Sequence, residues 1–582
     1  MQKRWVVKEI SRSDLANKLS TSLNIDPVLS QLLVQRDIHN FPEAREFFRP
    51  SLDNLHDPFL IKDMDLAVRR IEQAIARNER ILVYGDYDVD GTTAVALVYS
   101  ALKEFYDHLE YYIPDRYKEG YGISYEGIDH ARRRGVGLII ALDCGIKAVK
   151  QVEYALGKGI DFIVVDHHRP GEELPPAAAL IDPKQNDCSY PYKELSGCGL
   201  GFKLAQAIYQ KKRKPSSELE KFLDLVVVSI AADIVPITGE NRVLAHFGLK
   251  RLNMNPRPGL ESILFYNNIF KKSHPCEKTA FTREININDL MFMIGPRINA
   301  AGRMEKGKTA VDLLLCDHMG DTHQLSQIIN NNNTERRSLD TSITEQAIRM
   351  LKHNPGHKKA RATILFDPEW SKGVIGIVAS RLIENYYRPT IILTQSNGMI
   401  TGSARSIKDF DIYDAIDACS HHLEHFGGHK YAAGLSMKPE NLDSFIEAFY
   451  QVVENTITDA MLVPEIEIDA QLDLPGIEGK FFRILKQFAP FGPGNPNPVF
   501  LTTQCVAKGT PRLVSNKHLK FNITQPQMGM AELPAIAFQQ GEDLPQMLAR
   551  KPFDLVYQIE ENEWNGKTYL QLNVKDIRFG QE

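Results

Sequence analysis

From about Arg80 to Pro183 the chain alternates between short apolar runs and amphipathic stretches of helical period. Ile81–Gly85, Glu110–Pro114, Leu138–Leu142, Asp161–Val165 and Ala178–Ile181 read as strands, and Thr92–Tyr106, Tyr125–Arg134 and Ala148–Lys158 as helices. Such alternation predicts a parallel α/β sheet whose strands are apolar because both faces are covered. A helical region follows, in which Leu225 to Ala232 is apolar almost throughout and ends at Asp233, just before Val235-Pro236.

The pattern then changes twice. Asp321 to Leu351 is polar, helix-compatible and free of Gly and Pro, which predicts a long linking helix over about 319–355. Beyond it Ala362–Phe366, Thr390–Thr394 and Met399–Ser403 read as strands, and Gly376–Asn385, Tyr413–His425 and Leu442–Thr456 as helices, giving a second, smaller α/β domain over 356–460. After Pro464 short alternating strands are separated by turns rich in Pro, Gly and Asn, and the run from Ala489 to Pro498 excludes regular structure. Val556–Trp564 faces Thr568–Val574 across Asn565-Gly566, a hairpin signal. A β-barrel over 461–582 is expected, with an oligonucleotide-binding (OB) fold among the candidates. The remaining parts are an N-terminal segment, 1–60, and a catalytic α/β domain with a helical extension, 61–318.

At 582 residues the chain exceeds one core. Its seven cysteines are scattered and never spaced C-x-x-C, which disfavours a disulfide framework or a zinc site and fits a reducing cytoplasm. Met1 to Ile10 lacks a signal-peptide core, and no run reaches the roughly 18 apolar residues of a membrane span. A net charge of −5 counts against nucleic-acid binding only if the acids are spread evenly. The clusters Arg132-Arg133-Arg134 and Lys211-Lys212-Arg213-Lys214 read as solvated helix ends or local patches. Residues 501–582 carry nine Lys/Arg and nine Asp/Glu, so a strand bound there relies on local patches and aromatic stacking.

The acids are not spread evenly. Tyr84 to Thr93 reads Y-G-D-Y-D-V-D-G-T-T, placing Asp86, Asp88 and Asp90 after Ile81-Leu82-Val83, and two further apolar runs end in Leu142-Asp143-Cys144-Gly145 and Val164-Val165-Asp166-His167-His168. Ligands of parallel sheets sit beyond the carboxyl ends of the strands, so these clusters and Asp233 can converge. Buried carboxylates are costly unless a cation neutralises them. Singly, an Asp-rich turn serves as a helix cap; three strand ends together point to a catalytic metal site. Asp86, Asp88, Asp90, Asp143, Asp166, His167, His168 and Asp233 offer oxygen with some nitrogen, which suits Mn²⁺ or Mg²⁺ better than zinc. So many carboxylates suggest two ions, which at about 3.5–4 Å separation support an in-line phosphoryl displacement. Gly91 and Thr92-Thr93 fall at the turn into the next helix, where N–H groups can meet ligand oxygens.

Asp-Tyr-Asp-Val-Asp-Gly at 86–91, Leu-Asp-Cys-Gly at 142–145, Asp-His-His at 166–168 and Ala-Ala-Asp-Ile-Val-Pro at 231–236 resemble the four motifs of the DHH phosphoesterase superfamily. Nearly the whole chain resembles its RecJ family of single-strand-specific 5′→3′ DNA exonucleases: Gly295 to Met304 is similar to a stretch of that family, and Gly427-Gly428-His429 looks like the DHHA1 motif of its accessory domain. The resemblance implies that first-motif Asp residues, Asp143, one or both of His167 and His168, and Asp233 hold Mn²⁺ or Mg²⁺; the Asp-x-Asp pattern fits Asp88 and Asp90 better than Asp86. It also implies phosphate contact at Gly427, Gly428 and His429. Ser403 and Arg405 suit a terminal phosphate, Arg116 can reach the same phosphate or solvent, and Arg297, Asn299 and Arg303 line a strand channel or serve structure.

The expected protein is a cytoplasmic, monomeric nuclease of two α/β lobes, a DHH and a DHHA1 domain, joined by a long helix around a single-strand channel, with an OB-like barrel holding the incoming DNA. Two-metal hydrolysis, assisted by His168 or His167, releases 5′-mononucleotides in repair and recombination. By family alone a single-strand-binding protein and a RecQ-type helicase are partners. The rivals are a DHH phosphodiesterase of short oligonucleotides or cyclic dinucleotides, or a pyrophosphatase, which need no barrel, and a non-catalytic replication or repair scaffold, which has no need of a full ligand set.

Overall fold

In the computed structural model, which describes residues 3–9, 12–304, 307–353, 356, 360–529, 531–564 and 567–580, the five apolar runs form one parallel sheet. Its strands are β1 (Arg80–Gly85), β2 (Leu109–Tyr112), β3 (Val136–Leu142), β4 (Asp161–Val165) and β5 (Ala179–Ile181), in the order β2-β1-β3-β4-β5. The order reverses between β1 and β3, and the crevice beyond their carboxyl ends is where such folds bind ligands. Alternate strand residues serve two cores. Ile81, Val83, Leu138 and Ile140 pack with the helices α1 (Val89–Lys103), α2 (Gly197–Lys211) and α3 (Leu223–Ala232), while Leu82, Tyr84, Ile139 and Ala141 pack with Ile128, Ala131, Val152 and Ala155 on the other face.

α1 starts at Val89, three residues before the start indicated by periodicity, because Asp88 adopts an extended conformation and its side chain accepts from the Gly91 N–H (3.0 Å). Asp86 therefore ends the strand, Asp88 caps the helix and Asp90 lies in its first turn. Beyond α3 come α4 (Gly295–Met304) and the 35-residue α5 (Met319–His353). The basic clusters sit at helix ends, where Arg134 pairs with Glu110, and Lys214 with Glu104 and Glu218.

The chain divides into two units, Met1–Lys8 with Asn333–Ile468, and Glu9–Asn332 with Asp469–Glu582. The first holds a mixed sheet of β6 (Thr363–Phe366), β7 (Thr390–Ser396), β8 (Met399–Arg405), β9 (His425–His429) and β10 (Ala432–Met437), in the order β9-β10-β8-β7-β6. Here the expected helix Tyr413–His425 is corrected: it ends at Asp417, and His425 opens a strand paired with Ser436. Pairing with β10 overrides the local helical pattern.

In the second unit β11 (Phe500–Val514), β12 (His518–Thr524), β13 (Glu532–Ala537), β14 (Phe553–Trp564) and β15 (Lys567–Phe579) close into a five-stranded barrel through the β11–β14 pairing, consistent with an OB fold. β14 and β15 form the expected hairpin; its turn residues, Asn565 and Gly566, lie outside the described residues. Among the described residues no helix is long and apolar enough to cross a membrane.

Candidate metal centre

Two glycines let the acids approach one another. A Cβ at Gly91 would lie 2.5 Å from the Asp86 carbonyl oxygen, and one at Gly197 would lie 2.8 Å from Asp143 Oδ1, so the first turns of α1 and α2 press directly on the strand ends. Ser196 caps α2, and the Gly197 and Cys198 N–H groups donate to Asp90 (both 2.7 Å), joined by Ser229 Oγ (2.6 Å). A helix N-terminus thereby fixes the Asp90 carboxylate. Asp143 sits in the left-handed region (φ 60°), a conformation Asp tolerates better than most residues and one that recurs at functional sites.

The acids converge on one imidazole. His167 Nε2 lies 3.2 Å from Asp143 Oδ1, 3.6 Å from Asp233 Oδ2 and 3.7 Å from Asp90 Oδ2. Among the described residues, however, both ring nitrogens of His167, Asp143 Oδ1 and Asp86 Oδ2 are buried without a hydrogen-bond partner. Such orphaned atoms are costly unless something else engages them. The donor atoms of Asp143, His167 and His168, and those of Asp90, His167 and Asp233, each lie within 4.8 Å of one another. An oxygen-rich set with imidazole, its lone pairs turned inward, fits a hard divalent cation.

Burial first, and then the charges of neighbouring carboxylates, holds Asp86, Asp88 and Asp143 above the ordinary carboxylate range and pushes Asp233 up to about 8. Burial lowers His167. Asp166 behaves differently: burial opposes its ionisation, but the His168 ring and the backbone N–H groups of Ile146 and His168 bring it down to about 2. Its Oδ1 accepts from His168 Nδ1–H (2.7 Å) and the His167 and His168 N–H groups, and its Oδ2 from the Ile146 N–H (2.9 Å). Through these bonds the Asp166 carboxylate orients the His168 ring. Against burial, its hydrogen bond and charge raise His168 to about 9.

The Gly91 N–H is taken by Asp88 Oδ1 and the Thr92 N–H by the Asp88 carbonyl (both 3.0 Å), and the Thr92 and Thr93 hydroxyls donate to the Asp88 and Val89 carbonyls, so these groups are already engaged. Arg297 is almost buried and donates to Asn330 Oδ1 and the Met293 carbonyl, while Asn299 Oδ1 accepts from the Val89 N–H and caps α1. The Arg297 Nε and Nη1 groups and the Asn299 amide oxygen thus each have a structural partner. The Arg303 side chain lies outside the described ones. Arg116 lies over the Tyr87 ring (5.1 Å), and its charge acts on Asp86.

In the other unit, Arg405 and Ser403 face Gly376 in the first turn of the helix Ile375–Asn385; a Cβ there would lie 3.0 Å from Arg405 Nη2 and 3.4 Å from Ser403 Oγ. Burial lowers the Arg405 pKa, and among the described residues no ion pair is found for it. Gly427, Gly428 and His429 form the exposed end of β9, where a Cβ on Gly428 (φ 149°) would strike the Ala432 carbonyl at 2.3 Å.

Sequence reasoning missed Asp182, Ser196, Ser229 and Tyr121. Asp182 follows β5 as Asp143 follows β3, and that repeated ending was a usable signal. Its carboxyl is buried; burial, then the Asp166 charge working against the Lys184 N–H hydrogen bond, pushes it up to about 7. Tyr121 OH lies 3.3 Å from His168 Nε2, a contact that no local motif announces.

Residues 80–230 match the DHH family N-terminal domain, 359–455 the DHHA1 domain and 468–576 the RecJ OB domain. The single-stranded-DNA-specific exonuclease RecJ of Bacillus subtilis strain 168 is 34% identical over 99% of this chain and 71% of its own length. The chain belongs to the RecJ family. A second relative, the single-stranded-DNA-specific exonuclease RecJ of Dickeya dadantii strain 3937, is 32% identical over 95% of this chain and 96% of its own length. Among solved structures, RecJ from Thermus thermophilus in complex with Mn²⁺ superposes with a TM-score of 0.83 at 26% identity, covering 100% of this chain and 80% of that one.

Proposed function

We propose that this RecJ-family chain is a metal-dependent exonuclease that hydrolyses single-stranded DNA from the 5′ end. The observation that carries the reading is the cage around His167 Nε2, where carboxylates from α1, the end of β3 and the end of α3 meet within 3.7 Å yet leave buried lone pairs unsatisfied. Full-length similarity to curated single-strand-specific exonucleases supports the substrate.

Asp90, Asp143, His167 and Asp233 would hold Mn²⁺ or Mg²⁺, with Asp88, which the family pattern adds, and Asp86 beside them. Divalent ions there supply activation of water and stabilisation of charge on the phosphoryl oxygens. Asp90 is held by α2 so that its geometry survives changes in ligation, and Asp166 fixes the His168 ring through Nδ1, with Nε2 beside Tyr121 OH. In the hydrolysis a water oxygen bonds to phosphorus as the bond to the 3′ oxygen of the terminal nucleotide breaks. That oxygen takes a proton, for which His168 is the oriented donor. The released nucleotide keeps its 5′ phosphate.

Arg405, with Ser403 Oγ and the first turn of a helix beside it, suits a phosphate monoester. The barrel exposes Phe538 and Tyr569, surfaces on which bases stack without sequence preference. The test is incubation with 5′-labelled single- and double-stranded DNA, with Mn²⁺ or with EDTA. Mononucleotide release from single strands in Mn²⁺ alone is expected; equal digestion of duplex, or digestion in EDTA, refutes the reading.

A further inference from the structure

Asp233, the α3 residue of the metal cage, is followed by Ile234 in the left-handed region (φ 60°), which β-branched residues avoid. Ile234 is 58% exposed, so its own packing does not hold it there. The hold comes from the next four residues. Tyr192 OH and Asn241 Nδ2 donate to the Pro236 carbonyl (3.2 and 3.0 Å), and the Ile237 N–H donates to the Pro493 carbonyl (2.6 Å). Pro493 belongs to the irregular segment that leads into β11 of the barrel.

That segment is unusually well tied. Arg242, nearly buried and stacked 3.7 Å over the Phe47 ring, donates to the carbonyls of Phe47, Gln487, Phe488 and Ala489. Asn495 spends its amide donors on the Phe488 and Pro490 carbonyls (both 2.8 Å), and its oxygen accepts from Arg36 Nε (2.6 Å). Gly492 lies so close to the Asp233 arm that a Cβ there would sit 2.5 Å from Ile237 Cδ1, in a side chain that is itself buried. A buried guanidinium with carbonyl partners is a costly way to close a loop, and it makes the loop rigid.

We propose that residues 487–496 are a positioning element of the metal centre. By clamping Pro236–Thr238 they keep Ile234 in its unfavourable turn and Asp233 in the cage, and they couple the barrel to that cage through one short rigid loop. This rests on the metal-binding reading above. Loosening this loop should therefore weaken metal binding while leaving the surface that holds DNA intact.

The test uses the full chain. Mn²⁺ affinity is measured by calorimetry, and affinity for a 5′-phosphorylated oligo-dT by fluorescence anisotropy in EDTA, both below the unfolding midpoint read by circular dichroism. Gly492→Ala should weaken Mn²⁺ binding roughly tenfold, the scale of lost outer-sphere support, with oligo-dT affinity unchanged within about twofold. Gly492→Ala combined with Ile237→Val, which removes the Cδ1 that the new methyl meets, should recover most of the loss. Asn495→Ala, which opens the loop without adding an atom, should act in the same direction and serves if Gly492→Ala does not fold. Wild-type Mn²⁺ affinity in the folded single variants, or a double variant no better than Gly492→Ala, overturns the proposal. Asp233→Ala separates the two readings: if it binds Mn²⁺ as wild type, the metal centre is misassigned, whereas weak binding by Asp233→Ala beside normal binding by Gly492→Ala removes only the coupling.

Discussion

Two buried charged clusters of the same unit have opposite accounts. Lys203 and Glu240 are buried as completely as Asp86 and Asp143, but Lys203 Nζ meets Glu240 Oε1 (2.6 Å) and the His56 carbonyl (2.8 Å), and Glu240 also accepts from the His56 N–H and from Tyr190 OH. Nothing is left over. In the acidic centre, oxygens of Asp86 and Asp143 and both nitrogens of His167 remain unmatched among the described residues. Burial of charge is thus not the mark of a site. A mismatch between buried donors and acceptors is, because closed clusters stabilise only the fold and open ones cost stability until a ligand of the missing sign arrives.

The largest expected effect tests the open cluster. Asp143→Ala should lower exonuclease turnover by roughly a thousandfold or more, the scale of losing a group that stabilises transition-state charge, while the metal-free chain melts no lower than wild type. Wild-type turnover, or a collapse in metal-free melting temperature, would erase the contrast. The closed cluster should answer in reverse. Lys203→Met leaves Glu240 buried without its cation, costing about 3–5 kcal/mol of stability, with turnover per folded molecule retained; denaturant melts and active-site titration read the two separately. Replacing both partners by apolar residues should return much of that stability.

Arg405 extends the comparison to a cation. Arg405→Ala should weaken 5′-phosphorylated strands about tenfold more than 5′-hydroxyl ones, in keeping with one lost charge-assisted contact. Equal losses in competition binding would count against a terminal-phosphate pocket.

The smallest effect is in pH. Asp233 at about 8 and Asp182 at about 7 bind protons more tightly in the folded chain than in the unfolded one, where Asp titrates near 3.9. Their share of stability is complete below about pH 4 and is lost as pH rises through those values. His168, raised to about 9, acts in the same direction, its contribution being complete below about 6.5 and lost through 9. The metal-free chain should therefore melt lower at pH 8.5 than at pH 5.5, by roughly 3 °C or more. Mn²⁺ should raise the midpoint more at the higher pH; a metal increment independent of pH would contradict the open-cluster account.

The parallel sheet, the long helix, the barrel hairpin and the strand-end acids were legible because each is written in local pattern: apolar runs, an unbroken polar helix, Asn-Gly, and carboxylates where strands stop. Tyr413–His425 was misjudged because β9 exists only through its pairing with β10. The contacts of Asp166, Thr92, Thr93, Arg297 and Asn299 were not legible for a similar reason. Residue type says that a side chain can ligate, cap or donate; which of these it does depends on the neighbour it meets.

The sequence by itself determined that buried strands would end in carboxylates and histidines, since periodicity and residue chemistry are local properties. Only the tertiary structure decided which of those groups face one another, that Asp166 turns away to hold His168, and that a loop leading into the barrel clamps the arm of Asp233. Those outcomes depend on strand order, on glycines that allow backbones to touch, and on hydrogen bonds between residues as far apart in sequence as Ile237 and Pro493, which no local pattern encodes.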